Sequence, residues 1–507
     1  MADSQAETCA LLADPATHGG AEVERIDTHI STVFLAGDRA WKLKKAVRLP
    51  FLDFSIVEFR HAACLKELEI NRRAAPRLYL GVEPVVRRAD GRLAIGGDGA
   101  VVDWLVAMRR FGAEDRFDRL VADGRVDRRL FLRLTEAVVA FHAGAPVRRD
   151  KGGAAGLTWT IDNNALSMTP AIPSILPAAE VALLTEASRA KLAELTPLLD
   201  ARRDAGLVRQ CHGDLHLGNL CLFEGEPTLF DAIEFSEDIA CVDVFYDLAF
   251  LLMDLDVKGA PVAASQVMNH ALDLGGDFQA LAALPLFLSL RAGVRAMVDA
   301  TIALALDGAA REAKAASARS YLAAALLYLD PPPPRLVAIG GLSGSGKSRM
   351  GRRLAPLLGV PGAAVVRSDA LRKRLMGAEL RQKLGPEGYS EDATARTWAT
   401  LFDTCAEVLA AGHPVIADGV FARPEQRAAI AAVAARVGVR FDGLWLEAAP
   451  EVAAARIDGR IGDASDATRA VLERQRGYDL GAIDWTRLDT GRVEDDAVDT
   501  ARHVLGV

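Results

Sequence analysis

Between residues 26 and 110 the chain alternates apolar and polar positions in short runs: STVFLAGD, RAWKLKK, VEPVVRR, GRLAIGG and DWLVAMRR. A period of two over such lengths predicts β-strands with one buried face. One stretch, SIVEFRHAACLKELEINRRAA, breaks the alternation with helical spacing and predicts a helix interrupting the strands. Beyond Phe111 the pattern is mostly helical, and a strand-like patch returns around Leu220 to Phe235. A small sheet lobe (about 26–110) joined to a helical lobe (about 111–330) is an arrangement that forms a cleft. The run AAREAKAASARSYLAAALLYL predicts a long Ala-rich helix closing this part. Pro331 to Pro334 follow; four prolines cannot continue a helix and favour a stiff extended spacer. After them RLVAIGG, AAVVRSD, HPVIADG and FDGLWLEA alternate with helical stretches, the βαβ pattern of a parallel sheet covered on both faces. The expected organisation is an N-terminal segment 1–25, a domain 26–330, a proline linker 331–334 and an α/β domain 335–507.

The bulk properties narrow the function. A chain of 507 residues exceeds one ordinary core. Sixty basic and 68 acidic residues leave a formal charge of -8, which argues against nucleic acid as a partner. The six cysteines form no CxxC pair, a pattern that suits reduced thiols in the cytoplasm. No basic-then-apolar leader opens the sequence, and runs such as LAFLLMDL are too short to span a bilayer, so no membrane partner is expected. Nothing in the sequence signals an oligomeric state.

The first chemical constellation is CHGDLHLGNLCLFEGEPTLFDAIEF. It holds His212-Gly213-Asp214, then Asn219, then Asp231 closing an apolar run. Phosphoryl transfer to a hydroxyl needs a carboxylate to orient the acceptor and take its proton, and oxygen ligands to hold magnesium against the phosphates. Asp214 suits the first task, Asn219 and Asp231 the second. His212, His216 and Cys211 lack further ligands at zinc spacing, so His212 reads as support for the loop. Asp243 and Asp247 read as carboxylates bracing the backbone.

These residues resemble the motif of the aminoglycoside phosphotransferase and choline kinase families, which have a two-lobed protein-kinase-like fold. The resemblance covers roughly Ile26 to Asp330. It implies that Lys42 in AWKLKK grips the ATP phosphates, with Lys44 on the same strand face as the alternative. It implies that Glu67 pairs with that lysine, that Ser31 and Thr32 approach the phosphates, and that Met108 in VAMRR belongs to the adenine-contacting hinge.

The second constellation is GLSGSGKS, Gly341 to Ser348, a full match to the phosphate-binding loop. Gly341, Gly344 and Gly346, with Ser343 and Ser345 between them, let backbone N–H groups turn toward phosphate. Lys347 reaches the β- and γ-phosphates and Ser348 supplies a magnesium oxygen. Asp369 ends an apolar strand and is placed to orient an acceptor hydroxyl, with Arg372 available for an anionic acceptor group. Asp418 ends another strand as a magnesium-side carboxylate. Arg456 and Arg460 share a helix face and read as a lid over the transferring phosphoryl group.

This half is similar to the P-loop kinases that include gluconate kinase, the zeta toxins, chloramphenicol phosphotransferase and polynucleotide 5′-hydroxyl kinases. The whole chain resembles bacterial fusions of the two kinase types. The resemblances imply a bifunctional, cytoplasmic, ATP- and Mg2+-dependent phosphotransferase acting on small hydroxylated molecules such as sugars, aminosugars or antibiotic-like compounds. Two alternatives stay open at this point: a first half that senses a ligand and gates the second, and a second half that phosphorylates nucleic-acid 5′ ends.

Overall fold

The computed structural model describes residues 2–49, 52–459, 465–491 and 494–507. The chain divides into two compact units, Met1–Thr160 with Thr196–Leu251, and Ile161–Leu195 with Leu252–Val507. Residues 252–330 thus belong to the same unit as the phosphate-binding loop.

The first unit is built on a six-stranded antiparallel sheet of β1 (Val23–Asp27), β2 (Ser31–Ala36), β3 (Arg39–Lys44), β4 (Tyr79–Arg87), β5 (Leu93–Ile95) and β6 (Ala100–Arg109). The spatial order is β1-β2-β3-β6-β4-β5. Alternation along β3 sends Leu43 into a cluster with Phe34, Val85 and Leu105, while Lys42 and Lys44 face the other side. Leu12, on the helix Ala2–Ala13, completes that cluster. The N-terminal segment therefore contributes a helix packed on the sheet and the edge strand β1, which begins before Ile26. On the lysine side lies helix α1 (Val57–Arg72). Its Arg60 makes a buried two-pronged contact with Asp103 of β6, Nε–Oδ1 2.8 Å and Nη2–Oδ2 3.0 Å. That contact fixes which face of α1 meets the sheet, and so where Glu67 points.

The second unit contains a five-stranded parallel sheet. Its strands are β7 (Arg335–Gly340), β8 (Ala364–Arg367), β9 (Val415–Asp418), β10 (Arg440–Glu447) and β11 (Thr486–Asp489), in the order β8-β9-β7-β10-β11. Val337, Ile339, Val365, Ile416, Leu444 and Leu446 form its core with residues of the flanking helices. Because β7 is central, the loop leaving its carboxyl end emerges where strand order reverses, the position where open α/β sheets bind ligands. The helices Pro261–Gly275, Leu284–Leu304 and Gly308–Tyr328 belong to this unit as well. Among the described residues no helix is long and apolar enough to cross a membrane.

Candidate active sites

In the first unit, Glu67 is fully buried and faces both β3 lysines. Lys42 Nζ lies 2.9 Å from its Oε1 and Lys44 Nζ 2.7 Å from its Oε2. Each lysine has a second carboxylate, Asp231 for Lys42 and Glu234 for Lys44. Both lysines thus share Glu67, but Lys42 is the one in contact with Asp231. Burial alone would drive the Glu67 carboxyl up; Lys42 and Lys44 overcome it and hold its pKa at about 2. Burial likewise opposes the charge on Lys42, yet Asp231 and Glu67 keep its pKa well above the ordinary lysine value. Glu234 moves the other way, raised by burial with the neighbouring Glu67 charge adding to it.

The loop that carries the motif is held by the side chains of Asp247 and His212. Asp247, fully buried, accepts hydrogen bonds from His212 N at 3.0 Å and Gly213 N at 2.9 Å, and lies 2.9 Å from His142 Nε2. His212 Nε2 is 2.9 Å from the Phe230 carbonyl, and its Nδ1 receives the Asp214 N–H at 3.3 Å. One nitrogen must donate and the other accept, which is the neutral ring; burial lowers its pKa in the same sense. Gly213 has φ +82°, and a Cβ there would meet Ile233 at 3.0 Å. Asp243 pairs with Arg202 at 2.7 Å. His142, Cys211 and Asp247 lie close enough to suggest a metal site, but the Asp247 oxygens already accept the loop N–H groups.

Asp214 Oδ2 accepts from Asn219 Nδ2 at 2.8 Å, and the same Nδ2 reaches the Asp214 carbonyl at 2.9 Å. With its NH2 so engaged, Asn219 offers its amide oxygen to a cation. The Asp214 side chain is 35% exposed, open enough to meet an acceptor. Asp231 has φ +62°, a conformation that Asp tolerates better than most residues. Its N–H donates to Tyr79 Oη at 3.0 Å, and the next N–H, Ala232, donates to Asn71 Oδ1 at 2.9 Å. The sheet and α1 therefore set the turn that aims Asp231 at Lys42. This donor set, two oxygen ligands beside a paired lysine, fits Mg-ATP.

Other expected residues lie as follows. Ser31 and Thr32 are both buried. The Ser31 hydroxyl has no hydrogen-bond partner among the described residues, and Thr32 Oγ1 donates to Asp27 at 2.8 Å. Met108, on β6, packs against the cluster of Cys64, Tyr79 and Val106. The sequence reading passed over Glu234, Tyr79, Asn71 and His142. For Glu234 the signal was an acid in the apolar run FDAIEF.

In the second unit the phosphate-binding loop joins β7 to helix α2 (Lys347–Leu354). A Cβ at Gly341 would sit 2.4 Å from the Leu446 carbonyl oxygen, and one at Gly344 2.5 Å from that of Ala453; Gly344 and Gly346 have φ of +82° and +91°. No side chain fits the first two positions. The loop is tied from outside by Gln475 Oε1, which accepts from Ser343 N at 2.8 Å, and by Thr490 Oγ1, which donates to the Ser345 carbonyl at 2.9 Å. Lys347 Nζ lies across the loop, donating to the Gly341 and Leu342 carbonyls at 2.8 and 3.0 Å. The Ser345 hydroxyl is buried with no partner among the described residues. Such a cradle, with its covering lysine, fits a nucleotide phosphate.

A cavity of 1180 Å³ opens on this loop, lined by Lys347, Ser348, Asp369, Arg372, Asp418 and Arg456 among others. Asp369 heads helix α3 (Ser368–Leu375). Burial raises its pKa, against a hydrogen bond from Ser465. Arg372 donates to the Gly388 carbonyl at 2.7 Å and stacks over Tyr389 at 5.0 Å. Asp466 reaches the same region, 3.1 Å from the buried Lys373 Nζ and 2.8 Å from Tyr389 Oη. Asp418 closes β9, opposite Ile339 of β7 and Arg367 of β8. Arg456 donates to the Thr490 carbonyl at 2.7 Å, and Arg460 lies outside the described residues. Gln475, Thr490, Ser465 and Asp466 escaped the sequence reading.

The family profile described as an AAA domain matches residues 336–478. An uncharacterised protein of Mycobacterium tuberculosis (strain ATCC 25618 / H37Rv) is 28% identical over 493 residues, 94% of each chain. A shikimate kinase of Bradyrhizobium diazoefficiens is 30% identical over 186 residues, which are 34% of this chain and 82% of that protein. Among solved structures, a choline/ethanolamine kinase family protein of Mesorhizobium loti is similar at 17% identity and a TM-score of 0.36, over 64% of this chain and 99% of that one. With a complete phosphate-binding loop at the reversal point of a parallel sheet and a shikimate kinase as relative, the chain belongs, through its C-terminal region, to the P-loop kinases.

Proposed function

We propose that the chain is a cytoplasmic bifunctional phosphotransferase, each unit moving the γ-phosphoryl of Mg-ATP to a hydroxyl of a small molecule. The observation that carries this reading is duplication: one unit gathers Lys42 on Glu67 and Asp214 on Asn219, and the other sets Lys347 on its loop beside a cavity lined by Ser348, Asp369 and Asp418. Bound Mg-ATP supplies the transferable phosphoryl group and neutralises charge on it.

In the first unit Lys42 holds phosphate, positioned by Glu67, while Asn219 and Asp231 hold the metal. Asp214 receives the proton of the acceptor hydroxyl, kept in place by the Asn219 hydrogen bond. In the second unit the loop N–H groups and Lys347 hold phosphate, and Ser348 and Asp418 serve the metal. Asp369, whose raised pKa suits a proton acceptor better than an ordinary aspartate, orients the acceptor. Arg372 meets an anionic group on it. Lysines and arginines outnumber aspartates around this cavity, which favours an acceptor carrying carboxylate, phosphate or sulfate.

The test is calorimetric titration of the intact chain with a non-hydrolysable ATP analogue and Mg2+. Two sites are expected, one lost in Lys347→Ala and the other in Asp231→Ala. A single site, or one that both variants abolish, refutes two independent kinases.

A further inference from the structure

The P-loop site is flanked by a helix of the same unit that comes before the parallel sheet in the chain. Helix α4 (Pro261–Gly275) precedes the proline run, yet its carboxyl-terminal half lies against β8 and α3. Asn269 works as a piece of false strand: its Oδ1 accepts from Val365 N at 2.6 Å and its Nδ2 donates to the Ala363 carbonyl at 3.1 Å. Arg374 of α3 donates to the last α4 carbonyls, Leu272 at 2.7 Å and Asp273 at 3.1 Å. A Cβ at Gly276, the left-handed residue ending α4, would fall 2.5 Å from that guanidinium. These contacts fix the height of α4 along β8, and with it the position of Asp273.

At that height Asp273 Oδ2 meets Arg367 Nη1 at 3.1 Å. Arg367 is the last residue of β8, level with Asp418 on the adjacent strand, and its Nε lies 4.0 Å from Asp418 Oδ2. The three side chains are almost wholly sheltered, 13% exposed for Arg367, 12% for Asp273 and 6% for Asp418. The guanidinium is thus hydrogen-bonded to Asp273 and held at a distance from Asp418, and its charge also acts on the Asp369 carboxyl. We propose that Asp273 is a positioning residue of the P-loop kinase: it holds Arg367 back from Asp418, so that the Asp418 carboxylate remains available to the magnesium side of the site. This rests on the assignment of Asp418 to the metal given above. Without the Asp273 charge, the contact that draws Arg367 toward α4 weakens, and a closer Arg367–Asp418 ion pair competes with the metal.

The experiment measures binding in the intact chain. A non-hydrolysable ATP analogue is titrated calorimetrically at a series of Mg2+ concentrations and in EDTA, following the site that Lys347→Ala removes. Asp273→Asn is expected to raise the Mg2+ needed for half-maximal binding by about 10- to 100-fold, the usual scale for residues behind a metal ligand. The affinity in EDTA should stay unchanged, Asp273→Glu should restore the wild-type requirement, and adding Arg367→Gln to Asp273→Asn should reverse the defect. Arg367→Gln alone keeps the idea testable should Asp273→Asn not fold; it must not raise the Mg2+ requirement. The inference is overturned if Asp273→Asn weakens binding equally with and without Mg2+, or if Arg367→Gln raises the requirement. Asp418→Asn separates the two levels. If it leaves the Mg2+ requirement unchanged, the metal assignment fails; if it shifts the requirement while Asp273→Asn does not, the positioning role alone fails.

Discussion

Asp247 braces the first site through the N–H groups of His212 and Gly213, so its removal reads out how the motif loop is held. In Asp247→Ala three donors lose their acceptor: His212 N, Gly213 N and, in the neutral tautomer that donates from Nε2, the His142 ring. All lie in a site where Asp247 and His212 are fully buried. Leaving a buried donor unsatisfied costs about 1–3 kcal/mol each, so about 3–9 kcal/mol if none finds a new acceptor. A water entering the vacated space would recover part, so about 3 kcal/mol is the expected minimum. For a domain of this size 1 kcal/mol corresponds to about 2–4 °C in melting temperature. Scanning calorimetry of the intact chain should therefore show one endotherm falling by at least about 6 °C. Asp247→Asn, which keeps one acceptor oxygen but turns an NH2 toward a donor, should fall between that variant and wild type. A drop below about 2 °C for Asp247→Ala would refute the claim that this carboxylate carries the loop.

Two further outcomes concern the second site. Asp369 has a folded pKa above its unfolded value, so its contribution is favourable below the unfolded pKa and is lost as pH rises through the folded one. Asp369→Asn should accordingly melt higher than wild type at pH 7, an advantage that disappears below about pH 4; an equal or lower melting temperature at pH 7 contradicts the burial argument. Gly344→Ala places a Cβ 2.5 Å from the Ala453 carbonyl oxygen at φ +82°. It should weaken nucleotide binding at the P-loop site by at least about tenfold, on the scale of 1.4 kcal/mol, and leave the first site unchanged by calorimetric titration.

The parts of both sites that were legible in the sequence are those whose chemistry lies within a few residues. The phosphate-binding loop is one continuous segment, and Asp214, Asn219 and Asp231 come from a single stretch. The strands β2 to β6 were legible because alternation is a local signal. What stayed hidden was brought together from far along the chain. Gln475 and Thr490 tie a loop more than a hundred residues earlier, and neither differs in sequence from an ordinary surface residue. Asp273 meets Arg367 because α4 packs beside β8, a fact of tertiary structure with no periodicity to announce it. The helix Ala2–Ala13 was missed because its apolar positions form no clear stripe, and β11 because four residues, TRLD, are too few to show a period. What distinguishes Lys42 from Lys44 is the contact with Asp231, which lies on another part of the fold and reaches only the first.

The Asn269 contact bears on how the chain survives its own synthesis. β8 is the outer strand of the parallel sheet, and an outer strand offers unpaired N–H and C=O groups to any passing chain. Parallel sheets also assemble slowly, because their strands pair across long loops, and so leave such edges open for longer. Here one N–H and one C=O of that edge are occupied by a single amide on a helix that leaves the ribosome nearly a hundred residues before the strand does. The guard is therefore made before the edge it protects. Asn269→Ala should reveal this less in the melting temperature of the finished protein than in its yield: a larger fraction of newly made chains collected as aggregate, most of all when synthesis is fast or warm.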